Sequence, residues 1–206
     1  PILFFLLAFV IGISAGTTVL VGQAWGAQNL EKVRCVIGST LFMTLIGGSV
    51  IAVLGVMMAE PMLKLLGTDA KVMHLSLPYV QWMLAGSPLL FVYIIYTSIL
   101  RGVGDSVTPL IALSLTSLIG LAVTPVLLKG YFGFPALGIV APAIATILGY
   151  AAVLIFLGFY LNYKNHPLKI DARLLQSIRH DATLSKLILK LGIPTGIQMV
   201  TTSLAG

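Results

Sequence analysis

The sequence predicts an all-α fold, a polytopic transmembrane helix bundle, and three observations predict it. Of its 206 residues 58% are hydrophobic and only 9% are charged, against about 25% charge in an ordinary soluble domain. Mean hydropathy is +1.06. Apolar runs recur at the length of roughly 20 residues that a hydrocarbon core demands, and the stretches between them carry turn and cap residues. Six such runs are read: residues 1–21, 35–59, 79–100, 110–128, 136–161 and 187 onward.

The first span opens at Pro1, already apolar, and carries Gly12 and Gly16 at the small-residue spacing of four that lets helices approach closely. In the second, Gly47 and Gly48 are expected to break the helix, and Glu60-Pro61 to end it. Met62 to Leu66 would then lie at the interface until Gly67 caps the segment, with Asp69 or Thr68 starting the next helix. Pro78 and Pro88 each remove a backbone hydrogen bond in or near the third span and favour a kink, as Pro125 and Pro142 do in the fourth and fifth.

Between the third and fourth spans lies Arg101-Gly102-Val103-Gly104-Asp105-Ser106-Val107-Thr108-Pro109. A chain that leaves the bilayer and re-enters it within a few residues must satisfy its freed backbone groups locally. Arg101 complements the negative end of the helix it closes, and Gly102 and Gly104 supply permissive backbone. Thr108 is expected to cap the following helix, with Pro109 at its first position and Asp105 pairing with Arg101 across the turn. The glycines do not make a dinucleotide loop, because the third glycine and the preceding short strand are missing.

Residues 162–186 form the one long polar stretch. Ile170, Leu174, Leu175 and Ile178 recur at helical spacing there, which predicts an amphipathic helix at the headgroups. Loop parity divides the cations unequally: Lys64, Lys71 and Lys129 on one side, and Lys32, Arg34, Arg101, Lys164, Lys169, Arg173, Arg179, Lys186 and Lys190 on the other. The positive-inside rule therefore puts the Arg101–Pro109 turn in the cytoplasm. It also accounts for the net charge of +6 without nucleic acid as a partner. Both ends of the chain are expected to be cut within spans.

Cys35 is the single cysteine, which excludes an intrachain disulfide and reads as a small core residue. His74, His166 and His180 stand apart from other ligands, so no metal site is expected. A membrane-embedded enzyme would need a cluster of His, Asp, Glu or Ser groups at one depth, and none is visible. Trp25, Trp82, Tyr131 and Tyr163 suit interfacial anchors. The polar groups within spans are mostly hydroxyls, and Thr116, Gly120 and Thr124 form a weakly polar stripe at spacing four.

Four blocks together resemble the multidrug and toxic compound extrusion (MATE) transporters. Gly16-Thr17-Thr18-Val19-Leu20-Val21-Gly22-Gln23-Ala24-Trp25-Gly26-Ala27-Gln28-Asn29, with Glu31-Lys32-Val33-Arg34, is similar to that family's second helix and the loop after it. The Arg101–Pro109 turn resembles its fourth-to-fifth helix loop, and Leu65-Leu66-Gly67-Thr68-Asp69 the preceding external turn. Leu191-Gly192-Ile193-Pro194-Thr195-Gly196-Ile197-Gln198 resembles the start of its seventh helix.

The resemblance implies part of a twelve-helix antiporter: 1–161 as a partial N-terminal lobe of five transmembrane helices, 162–186 as a cytoplasmic interlobe linker, and 187–206 as the start of the C-terminal lobe. It further implies cation-coupled export of organic cations or other amphipathic compounds by alternating access. The complete protein would be a multi-pass monomer of the plasma (inner) membrane, with the lipid bilayer and a small-molecule substrate as its partners. Lipid or lipid-linked oligosaccharide flipping is the alternative, disfavoured because no basic residue lies mid-span. No cofactor is expected beyond a coupling ion, Na+ or H+. The asparagine and aspartate that the family often carries on its fifth helix correspond to Gly120 and Thr124, and Thr202 replaces a glutamate that one branch carries on the seventh. The substrate pathway is assigned to Thr116, Gly120, Thr124, Gln198 and Thr202, with Arg101, Gly102, Gly104, Asp105, Thr108 and Pro109 as the structural loop motif.

Overall fold

The computed structural model describes residues 2–65, 67–131, 136–164, 168 and 181–205. Among the described residues seven α-helices run in order: α1 (Ile2–Gly26), α2 (Leu30–Leu65), α3 (Ala70–Ala85), α4 (Ser87–Gly102), α5 (Val107–Lys129), α6 (Ala141–Tyr163) and α7 (Ala182–Ala205), with a 3-10 turn at Gly138–Val140 before α6. α2, α5 and the stretch from Gly138 to Tyr163 are each long and apolar enough to cross a membrane, while α3 and α4 qualify only as a pair bent by 46°. Most of the amphipathic helix expected across 162–186 lies outside the described residues, as do His166, His180 and Asp171.

Several sequence expectations are corrected. α2 runs unbroken for 36 residues through Gly47, Gly48 and Pro61. Pro61 removes one amide donor only, and Lys64 Nζ meets Glu60 Oε1 at 2.6 Å, bracing the turn that contains it. The expected stop falls at Gly67, whose φ is +73. There Thr68 N–H donates to the Leu63 carbonyl at 3.1 Å and Gly67 N–H to that of Lys64 at 3.0 Å, a Schellman closure. Pro78 sits inside α3 without ending it, and the break in the third span comes at Gly86. Cys35 is exposed rather than core, because α2 buries Val33, Val36 and Ile37 beside it. The last helix starts five residues before 187, capped by Asp181, whose Oδ1 accepts from Thr183 N–H at 2.9 Å and Leu184 N–H at 3.1 Å.

The chain divides into two compact units. The first comprises Pro1–Ile46, Phe91–Ile111 and Leu157–Gly206. Within it α1 lies against α7 with glycine on both sides. A Cβ on Gly12 would stand 2.9 Å from the Gly192 carbonyl oxygen, one on Gly16 would overlap the Ile188 carbonyl, and one on Gly196 would come within 3.3 Å of the Ala8 carbonyl. The spacing-four pattern of Gly12 and Gly16 thus does what it predicts.

The second unit comprises Gly47–Leu90 and Ala112–Phe156. Its small core joins Leu127 of α5 to Ala141 and Ala145 of α6, with Val123, Leu137 and Ile144 packed around them. Thr116 meets α6 at Gly149, where a Cβ would lie 3.5 Å from the threonine methyl. Val53, Met57, Leu118 and Leu121 are exposed on this unit.

Candidate functional site

The turn after α4 is closed chemically on both flanks. Gly104 adopts φ +88, its N–H donating to the Arg101 carbonyl at 3.0 Å while Asp105 N–H donates to that of Leu100 at 3.0 Å. That is a second Schellman closure. The cap of α5 is Asp105 rather than Thr108: Oδ1 accepts from Val107 N–H at 3.1 Å and Thr108 N–H at 3.0 Å, and Oδ2 from the Thr108 hydroxyl at 2.6 Å. A carboxylate outcompetes a hydroxyl here because it accepts several bonds and carries charge beside the positive helix end. Pro109 follows in the first turn, where a missing amide hydrogen costs little.

Gly102 contributes closeness rather than turn geometry. A Cβ there would lie 3.0 Å from the Thr18 carbonyl oxygen and 3.1 Å from a Val21 methyl. Arg101 turns back along α4, where its Nη2 donates to Ser98 Oγ at 2.8 Å. Outside the spans, Lys164 lies over the Tyr160 ring at 4.8 Å. Tyr160 first, and the Asp105 carboxylate further off, hold the Lys164 ammonium above its ordinary pKa.

Ser98 leads into a buried lattice of hydroxyls. It is hydrogen bonded to Ser14 of α1, and Thr18 Oγ1 approaches the Ser98 carbonyl at 3.4 Å. One turn along, Thr17 Oγ1 and Thr40 Oγ1 of α2 are 3.1 Å apart. Thr44 donates back to the Thr40 carbonyl at 2.7 Å, while Thr17 and Thr40 each lie 2.8 Å from a carbonyl of their own helix, Ile13 and Val36, so that one of the pair donates to its carbonyl and the other divides its single proton between its carbonyl and the facing hydroxyl. Ser14, Thr17, Ser39, Thr40, Thr44, Thr97 and Ser98 are all buried. Each interhelical hydroxyl bond in a membrane contributes about 0.6 kcal/mol, so the lattice fixes the register of α1, α2 and α4 more than it adds strength. Sequence reading passed over its α1 and α2 members, although Ser14, Thr17 and Thr18, and again Thr40 and Thr44, fall at helical spacing on one face.

The residues assigned to the substrate pathway have modest surroundings. Thr116, Gly120 and Thr124 are half-buried along α5. Thr116 Oγ1 donates to the Ala112 carbonyl at 2.8 Å, satisfying itself within its helix. Gly120 has open space where a Cβ would stand. Gln198 is exposed on α7, and the side chain of Thr202 lies outside what is described. Among the described residues the acids Glu31, Asp69, Asp105 and Asp181 stand at or just before helix starts, and Glu60 lies within the last two turns of α2, exposed and paired with Lys64.

The MatE family model matches residues 1–126, more than half of the chain. The chain belongs to the MatE family. It is therefore an integral, multi-pass membrane protein. It is 40% identical over 205 residues to the probable multidrug resistance protein YoeA of Bacillus subtilis (strain 168), covering 100% of this chain and 44% of that protein. It is 29% identical over 169 residues to a FAD transporter of Shewanella oneidensis, covering 82% of this chain and 37% of the other. Among solved structures, a MATE in complex with MaD3S matches with a TM-score of 0.86 at 24% identity, over 100% of this chain and 45% of that one. The inward-facing conformation of a multidrug resistance MATE family transporter of the MOP superfamily matches with a TM-score of 0.84 at 23% identity, over 100% and 45%. The chain thus spans less than half the length of these MatE relatives.

Proposed function

We propose that the full-length protein is a secondary active exporter, coupling efflux of organic cations or other amphipathic compounds to a Na+ or H+ gradient by alternating access. The observation that carries this reading is the 40% identity, over essentially the whole chain, to a relative named as a probable multidrug resistance protein. The distribution of charge supports it. The described interior offers hydroxyls and backbone but no fixed charge, an environment suited to amphipathic cargo rather than to a phosphate-bearing lipid. Thr116, Gly120 and Thr124 on α5 line the pathway in this proposal. The coupling carboxylate then lies elsewhere in the full-length protein, because the described acids stand at or just before helix starts or, at Glu60, pair with Lys64 on an exposed face.

The test is flux. Full-length protein reconstituted in liposomes is given an imposed Na+ or H+ gradient, and ethidium movement is followed by fluorescence. Coupled export predicts that collapsing one of the two gradients stops net transport. Ethidium movement at the same rate without either gradient would contradict it.

A further inference from the structure

The break between α3 and α4 concentrates three local defects at the middle of one span. Gly86 separates two 16-residue helices bent by 46°. Pro88 has no amide hydrogen, so the Leu84 carbonyl loses the donor that a continuous helix would give it. The Gly86 carbonyl is shared, accepting from Leu89 N–H at 3.1 Å and Leu90 N–H at 3.2 Å. Beside them Ser87 is buried to 2% exposure, and its hydroxyl has no hydrogen-bond partner among the described residues.

An unpartnered hydroxyl in a membrane interior is disfavoured, and serine normally cures the problem by donating to the carbonyl one turn back. For Ser87 that acceptor is the Met83 carbonyl, which belongs to α3, across the bend. In a continuous helix that carbonyl stands one turn back from Ser87; across the 46° bend the hydroxyl has no partner among the described residues. Packing favours the bent form, since Gly86 lies so close to Ile147 of α6 that a Cβ would overlap that side chain. Two opposed terms therefore act on one joint: contact with Ile147 holds the bend, and the Ser87 hydroxyl favours its removal.

We infer that the Gly86–Ser87–Pro88 break is a two-state hinge, bent with Ser87 unsatisfied or straighter with Ser87 bonded to the carbonyl of α3. Its use in transport rests on the exporter reading above. Its two states do not, so a failed hinge and a failed flux assay are distinguishable.

The experiment is pulsed electron–electron resonance on the full-length protein in lipid nanodiscs, with spin labels at positions 72 and 103. Straightening a 46° bend between two such helices lengthens the end-to-end distance by about 4 Å at 1.5 Å rise per residue. The wild-type protein is expected to show both distances. Ser87→Ala removes the group that disfavours the bend and shifts the ratio about tenfold towards the shorter distance. Pro88→Ala restores a donor for the Leu84 carbonyl and shifts the ratio the other way, and it carries the test alone if Ser87→Ala does not fold. One distance, unchanged in the variants, would overturn the hinge, as would a shift of Ser87→Ala towards the longer distance.

Discussion

The two ends of α4 are built on opposite principles. At its C-terminal end the carbonyls of Leu100 and Arg101 are taken by the amides of Asp105 and Gly104, and the Asp105 carboxylate takes the first amides of α5. At its N-terminal end a proline deprives one carbonyl, a second is shared between two amides, and a buried hydroxyl has no partner among the described residues. A reversal at the membrane surface works as a fixed point because its hydrogen bonds are closed locally. A break within the span keeps polar groups that a second conformation satisfies better.

The largest expected effect sharpens this comparison at its packed side. Gly86→Leu must displace Ile147 or open the bend, and overpacking of this kind costs about 1–3 kcal/mol or more. The full-length variant should lose most of its monodisperse fraction on size-exclusion chromatography. Recovery with an additional Ile147→Ala change would confirm the contact, and a normal profile for the single variant would break the comparison there. At the closed end a smaller effect is expected. Gly104→Ala forces a Cβ into φ +88, at a cost of about 1–2 kcal/mol. Thermal unfolding of the full-length variant should shift downward, by less than the roughly 2–4 °C per kcal/mol of a 150–250-residue domain because the full-length protein is larger. An unchanged midpoint would show that the turn is not the rigid element.

Much of this was legible in the residues. Composition and run length specify membrane helices, and Gly12, Gly16, Gly67 and Gly104 stand where contact or positive φ requires them. Local chemistry was harder to rank. Asp105 and Thr108 both make good caps, and only the geometry decides that the carboxylate receives the amides while the threonine hydroxyl donates to it. Proline was the weakest guide: Pro61 and Pro78 are absorbed by helices, whereas Pro88 stands beside a glycine that a neighbouring helix has occupied closely. Sequence spacing cannot reveal that neighbour. For the same reason the stripe at Thr116, Gly120 and Thr124 was read while the deeper lattice of Ser14, Thr17, Thr40 and Ser98 was not, because its meaning depends on three helices meeting.

The most direct test places Asp105→Ala and Pro88→Ala side by side in the full-length protein, measuring thermal midpoint and ethidium efflux per folded molecule for each. A fixed turn and a moving break predict that Asp105→Ala lowers the midpoint, by about 1 kcal/mol of lost cap, with efflux per folded molecule unchanged. Pro88→Ala should keep its midpoint and lose efflux. The opposite assignment, efflux lost with Asp105→Ala and retained with Pro88→Ala, would contradict it.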